Sequence, residues 1–185
     1  LVVDEETGAV VGVAPALLDH IVVDVDIPAG QTLVHEEDAE GIHTAIESNL
    51  CFPWAQVEKL TPWLDLCMAD IKHMDPICHK EATGLDNHRV LENLQKLDAL
   101  GIPTIIRTPV IPGFNASNDD AHGFAQLLLD FGIDNVQLLP FHQMGERKYE
   151  FLNRDYELTG VTALHPEDLA EYQKVFLNHG IDCFF

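Results

Sequence analysis

The chain has 185 residues, 46% of them apolar and 22% charged, which suits one globular domain burying about 70% of its unfolded surface. That apolar share, with no low-complexity tract, excludes a wholly disordered chain. Ten Lys and Arg against 31 Asp and Glu give a formal net charge of −21, so nucleic acid and anionic membrane are poor partners; both need a basic face. The longest early uncharged run, Thr7 to Leu18, has 12 residues and contains Gly8, Gly12 and Pro15. It is too short for a bilayer, which takes about 20 residues per crossing. No basic segment precedes it, so it does not read as a signal peptide. Residues 1–58 carry twelve acidic side chains, and no Lys or Arg comes before Lys59. This asymmetry fits either a solvated acidic surface or a segment of different origin or partner. Cys51, Cys67, Cys78 and Cys183 lack any C-x-x-C or C-x-x-x-C spacing. They read as reduced, mostly buried thiols of a cytoplasmic protein and not as a thiolate cluster.

In chain order, Leu1-Val2-Val3 and Ala9-Val10-Val11 flank Glu5-Glu6-Thr7-Gly8, which suggests a β-hairpin. His20 to Ile27 reads as a further strand, ended by Pro28-Ala29-Gly30. We take 1–40 as an acidic N-terminal segment and 41–185 as the main unit. There one phrase recurs, Gly then Ile then a strand-like run, at Gly41, Gly101, Gly132 and Gly180. A Gly just past a helix lets it end in the left-handed conformation, and the next strand starts at once. Strands are predicted over 42–47, 65–70, 102–107 and 134–139. Pro53 to Lys59 opens a helix. From Asn87, the residues Val90, Leu91, Leu94, Leu97 and Leu100 repeat at helical spacing. Ser117-x-x-Asp120 starts another helix, with Ala121, Phe124, Ala125, Leu128 and Phe131. Pro166 suits the first turn of a last one, with Leu169, Tyr172 and Phe176 on a stripe. This alternation predicts a parallel α/β sheet covered by helices. Periodicity does not separate an open doubly wound sheet from a partial barrel.

Ligands of parallel α/β folds sit at the carboxyl ends of the strands. The predicted ends carry Glu47, Asp70, Lys72, Arg107 and His142, which would face one mouth. A carboxylate there grips an ammonium or a ribose diol, and a Lys pairs with a carboxylate or phosphate. Any one of these charges also fits a strand that simply ends in water; their convergence points to a zwitterionic or diol-bearing ligand.

Five stretches, in order, carry a resemblance: Gly41-Ile42-His43-Thr44-Ala45-Ile46-Glu47-Ser48; Asp70-Ile71-Lys72-His73-Met74; Thr83-Gly84; Ile106-Arg107-Thr108-Pro109-Val110-Ile111-Pro112-Gly113; and Leu138 to Tyr149. From about Glu40 to the C-terminus the chain resembles the glycyl radical enzyme activating enzymes, pyruvate formate-lyase activating enzymes among them. These are radical S-adenosylmethionine (SAM) proteins. The resemblance implies a partial (βα) barrel, of which this chain supplies about four core strands. It also implies SAM, a [4Fe-4S] cluster and a glycyl radical enzyme as partner, from whose glycine a hydrogen is removed. The implied cofactor-binding set is Glu47 for the methionyl ammonium, Asp70 for the ribose hydroxyls, Lys72 for the methionyl carboxylate and His142 against the adenosine, with Ile71 in the same motif. Met68 and Ser48 match a cation-binding corner of some relatives; taken alone they read as a buried Met and a turn Ser.

The departures are equally specific. The family's C-x-x-x-C-x-x-C loop and its Gly-Gly-Glu-Pro stretch are absent from this sequence, and Leu50 stands where members commonly have Gly. The chain therefore reads as the C-terminal part of an activase, inactive alone. Two alternatives have their own signatures. A metal-assisted hydrolase would use His43, Asp70 and His142. A non-catalytic interaction module would use the acidic N-terminal arm.

Overall fold

The computed structural model describes residues 2–3, 10–12, 44–151, 153 and 155–185. Strands β1 (Val2–Val3) and β2 (Val10–Gly12) pair antiparallel, as expected of the two Val-rich runs. The strand expected over 20–27 lies outside the described residues, as does His43.

The main unit is one parallel sheet in chain order: β3 (Ala45–Ser48), β4 (Leu66–Asp70), β5 (Thr104–Val110), β6 (Asn135–Pro140) and β7 (Asp182–Phe184). The four expected strands are adjacent and parallel. A fifth strand joins them at the edge, because the fourth Gly-Ile phrase, at Gly180, also feeds a strand. The helices between them are α1 (Trp54–Val57), α2 (Pro76–Thr83), α3 (His88–Ala99), α4 (Asn118–Asp130), α5 (Glu146–Phe151) and α6 (Ala170–Asn178).

The recurring Gly-Ile phrase is a helix stop. At Gly101, Gly132 and Gly180 the φ angles are 71°, 70° and 77°. In each case the Ile N–H reaches back to a carbonyl five residues earlier: Ile102 to Leu97 at 3.1 Å, Ile133 to Leu128 at 2.8 Å, Ile181 to Phe176 at 3.0 Å. This is the Schellman closure, and each of the three Ile side chains joins or packs against the hydrophobic core. The start of α4 is the expected capping box. Ser117 Oγ accepts from Asp120 N–H at 3.1 Å, and Asp120 Oδ2 accepts from Ser117 N–H at 3.0 Å. Helix α2 was not anticipated. Its signal was nevertheless present: Asp75 caps Ile77 and Cys78 N–H at 2.8 and 2.9 Å, Pro76 takes the first position, and Gly84 ends it.

Strand β5 runs three residues further than expected, so Arg107 lies inside it and not at its end. Pro109 does not break the strand. Arg107 directs its carbonyl towards β4, where it accepts from Ile71 N–H, and Pro109, two residues on, points the same way. By then β4 has ended, so the missing N–H of Pro109 loses no ladder bond.

Alternation along the strands gives the sheet two unlike faces. Cys67, Ala69, Ile106, Val136 and Leu138 are fully buried against Leu94 and Leu97 of α3, Phe124 and Leu128 of α4, and Phe176 of α6. The other face carries Glu47, Met68, Asp70, Ile105, Arg107, Gln137 and Leu139, all only half-buried.

Candidate functional site

The site is built at the carboxyl end of this open face. Asp70 is the last residue of β4, and Lys72 follows two residues later. Their side chains pair at 2.7 Å, with 13% and 6% exposure. An ammonium so deeply buried needs that counter-charge.

The strand end that carries them is tied down by its backbone. Past the end of a strand the peptide groups have no ladder, and buried ones must find other partners. Here four consecutive carbonyls do so. Ile71 O accepts from Thr108 Oγ1 at 2.7 Å, and Lys72 O from Asn115 Nδ2 at 2.9 Å. His73 O and Met74 O accept from Asn87 Nδ2 at 3.1 and 2.8 Å. Asn115 also donates to Pro109 O and accepts from Ile111 N–H, both at 2.7 Å, while Tyr172 donates to its backbone carbonyl at 3.0 Å. Thr108, Asn115 and Asn87 are buried. Sequence reasoning missed this frame. The Asn residues beside the Pro112-Gly113 and Thr83-Gly84 turns were its signal.

His73 belongs to the frame as well. Its Nδ1 accepts from Asp75 N–H at 3.0 Å, and its ring meets Phe114 edge-on at 4.9 Å. Burial holds its pKa below the ordinary histidine value, partly offset by Asp120 and Asp75, so the ring is neutral at pH 7. His79 is likewise lowered by burial; its Nδ1 lies 2.7 Å from Leu85 O.

Glu47 sits near the end of β3, two strands from Arg107. Arg107 Nη1 nevertheless reaches across β4 to Glu47 Oε1 at 2.7 Å, with side-chain exposures of 11% and 36%. Arg107 Nε is buried without a partner. Glu47, Asp70, Lys72 and Arg107 thus form two ion pairs on one rim. His142 stands half-buried at the end of β6, two strands from β4, where its Nδ1 accepts from Met144 N–H at 3.3 Å. Ile71 is elsewhere: its side chain is fully buried and its N–H bonds Arg107 O at 3.0 Å. Met68 lies half-buried on the open face beside Glu47, not in the helix-covered core. Ser48 Oγ accepts from Leu50 N–H at 3.0 Å, making a turn. Leu50 itself has φ of 49°, in the left-handed region where Gly is at ease.

The cysteines do not fit an iron–sulfur cluster. Cys67 and Cys183 are buried, and burial pushes their thiols up to about 12. Cys51 and Cys78 are half-buried, and among the described residues no three His, Cys, Asp or Glu side chains converge on a metal position. A cavity of about 440 Å³ lies between α2 and the start of α3, lined by Pro76, Ile77, Lys80, Glu81, Asp86 and His88; none of the rim side chains lines it. No described helix is long and apolar enough to cross a membrane.

No protein-family model matches the chain. Solved structures define its class of fold. A crystallised domain of the pyruvate-formate lyase-activating enzyme of Bacteroides vulgatus superposes with a TM-score of 0.63 at 20% identity, covering 80% of this chain and 84% of that one. A radical SAM methyltransferase of Sphaerobacter thermophilus superposes at 0.61 and 14% identity, covering 82% and 43%. The parallel sheet and its covering helices thus share the fold of these two proteins. Sequence relatives narrow this further: the homologues of this chain are glycyl radical enzyme activating enzymes. The isethionate sulfite-lyase activating enzyme of Nitratidesulfovibrio vulgaris is 42% identical over 132 residues, covering 70% of this chain and 43% of the relative. The (2S)-3-sulfopropanediol dehydratase activating enzyme of Klebsiella oxytoca is 40% identical over 154 residues, covering 78% and 48%. The chain spans just under half the length of these curated relatives. They do not favour a hydrolase or an interaction module.

Proposed function

We propose that this chain is the SAM-binding part of a glycyl radical enzyme activating enzyme, an oxidoreductase that removes a hydrogen from a glycine of a partner enzyme. The observation that carries this reading is the rim where β3 and β4 end beside Arg107 of β5, with two carboxylates and two cations on the open face of the parallel sheet. SAM offers an ammonium, a carboxylate and a ribose diol. In this reading Glu47 takes the ammonium, Lys72 the carboxylate and Asp70 the diol, each a charge-assisted contact. His142, at the end of β6, packs against the adenosine. The Asn87–Thr108–Asn115 frame holds the backbone from Ile71 to Met74, which carries Lys72, and so limits backbone reorganisation there on binding. SAM, bound, supplies the means of hydrogen removal; the rim orients it.

The cluster would need ligands other than these four cysteines, which lack the spacing and of which Cys67 and Cys183 are buried. Anaerobic addition of iron and sulfide should give no SAM-responsive cluster absorption on this chain alone. Without iron to chelate the methionyl group, SAM should bind no tighter than about 100 μM, near −5.5 kcal/mol. Calorimetry tests this reading: saturable weak binding in the wild type and none in Asp70→Ala supports it, whereas equal heats from the two proteins would place SAM elsewhere.

A further inference from the structure

Glu47 is already occupied. Its partner is not a neighbour on the adjoining strand but Arg107, which extends across β4 to reach it at 2.7 Å. The register neighbour of Arg107 is Asp70, and Asp70 is held by Lys72 at the same distance. In the posture that reaches Glu47, Arg107 leaves its Nε buried and without an acceptor. A buried donor left unmade is unfavourable, so this arrangement is not the best the guanidinium can have. The four rim side chains carry two negative and two positive charges, whereas SAM, with a sulfonium, an ammonium and a carboxylate, is a net cation.

We propose that Arg107 is a positioning residue that acts as an internal stand-in for the ammonium of the ligand: it holds Glu47 while the rim is empty and releases it when the ammonium arrives. The pair is then a latch that sets how readily the rim takes a cationic amino-acid group, and SAM must displace it. This rests on the reading of the rim as the SAM site. It differs from a direct ligand contact by Arg107, because a latch opposes binding and a contact promotes it.

The test is calorimetry on this chain with two probes, SAM and 5′-methylthioadenosine, which keeps the adenine and the diol but has no ammonium. Arg107→Met removes the competitor at similar length. It should raise SAM affinity by about five-fold, the scale of a partly exposed ion pair, and leave methylthioadenosine within about two-fold. Glu47→Gln, nearly isosteric, should weaken SAM and leave methylthioadenosine unchanged. Asp70→Ala should abolish both. Weaker SAM binding by Arg107→Met, or an equal gain for both probes, overturns the latch while loss of both ligands in Asp70→Ala leaves the site reading standing. Unchanged binding in Asp70→Ala, or no saturable binding to any protein at millimolar ligand, overturns the site reading and the latch with it.

Discussion

The two faces of the sheet are made by alternate residues of the same strands, yet they follow different rules. On the helix-covered face Ala69, Ile106, Val136 and Leu138 are sealed against Phe124, Leu128 and Phe176. On the open face the next residues along, Asp70, Arg107, Gln137 and Leu139, are polar or half-exposed. One face gains its stability from packing, at roughly 25 cal/mol per Å² of apolar surface. The other gains little from packing and places four charges where β3 and β4 end beside Arg107 of β5. Stability and site are therefore separable by substitution, which the following outcomes would sharpen or break.

The largest effect belongs to the covered face. Phe124→Ala should cost about 3–5 kcal/mol by urea unfolding, the usual loss for a buried aromatic, while SAM affinity stays within two-fold at a temperature where the variant is folded. Asn115→Ala should cross the divide. It leaves Lys72 O, Pro109 O and Ile111 N–H without their partner, a loss of about 3 kcal/mol, and it should also weaken SAM binding because Lys72 is no longer aimed. A variant that lost stability but bound SAM as before would show that the frame does not position the rim.

Leu50 gives a smaller and more pointed test. Its side chain is buried, so truncation to Ala should cost about 2–5 kcal/mol. Its positive φ, however, disfavours any Cβ, so Leu50→Gly should be the more stable of the two variants by about 1 kcal/mol, the reverse of the usual order. An equal or lower stability for the Gly variant would argue against that backbone conformation.

The smallest effect is in pH. Burial lowers the pKa of His73 and His79, so the unfolded rings take up protons near pH 6.5 while the folded ones do not until lower pH. Their contribution is fully present above about pH 6.5 and is lost as pH falls from there through the folded values. Relief of the repulsion from a net charge of −21 works the other way on acidification. The comparison is therefore of slopes: the fall in Tm between pH 7 and 5.5 should be shallower in His73→Phe than in the wild type. Parallel slopes would show that His73 does not titrate between the two states.

Much of the fold was legible because local signals and packing agreed. Gly-Ile at residues 101–102, 132–133 and 180–181 stops a helix and starts a strand by one mechanism, and Ser117 with Asp120 writes its capping box in the sequence. The strand ends were less legible. Pro109 looks like a breaker until the end of β4 is known, so the length of β5, and with it the place of Arg107, depended on a neighbour far along the chain. The rim residues Asp70 and Lys72 were readable as charges at a strand end, but their mutual pairing was not. Nor was the reach of Arg107 to Glu47, which no spacing announces. The frame of Asn87, Thr108 and Asn115 was invisible for a related reason: a buried Asn and a turn Asn look alike until the carbonyls they serve are seen.

Amide chemical-shift mapping of this chain with SAM tests the central claim, that the ligand is held at the carboxyl ends on the open face. The account predicts graded, saturable shifts at Glu47, Asp70, Lys72, Arg107 and His142, with the covered face around Ala125 and Leu128 unmoved. Shifts confined to Ile77, Lys80, Glu81 and His88 would place the ligand in the cavity between α2 and α3 and contradict it.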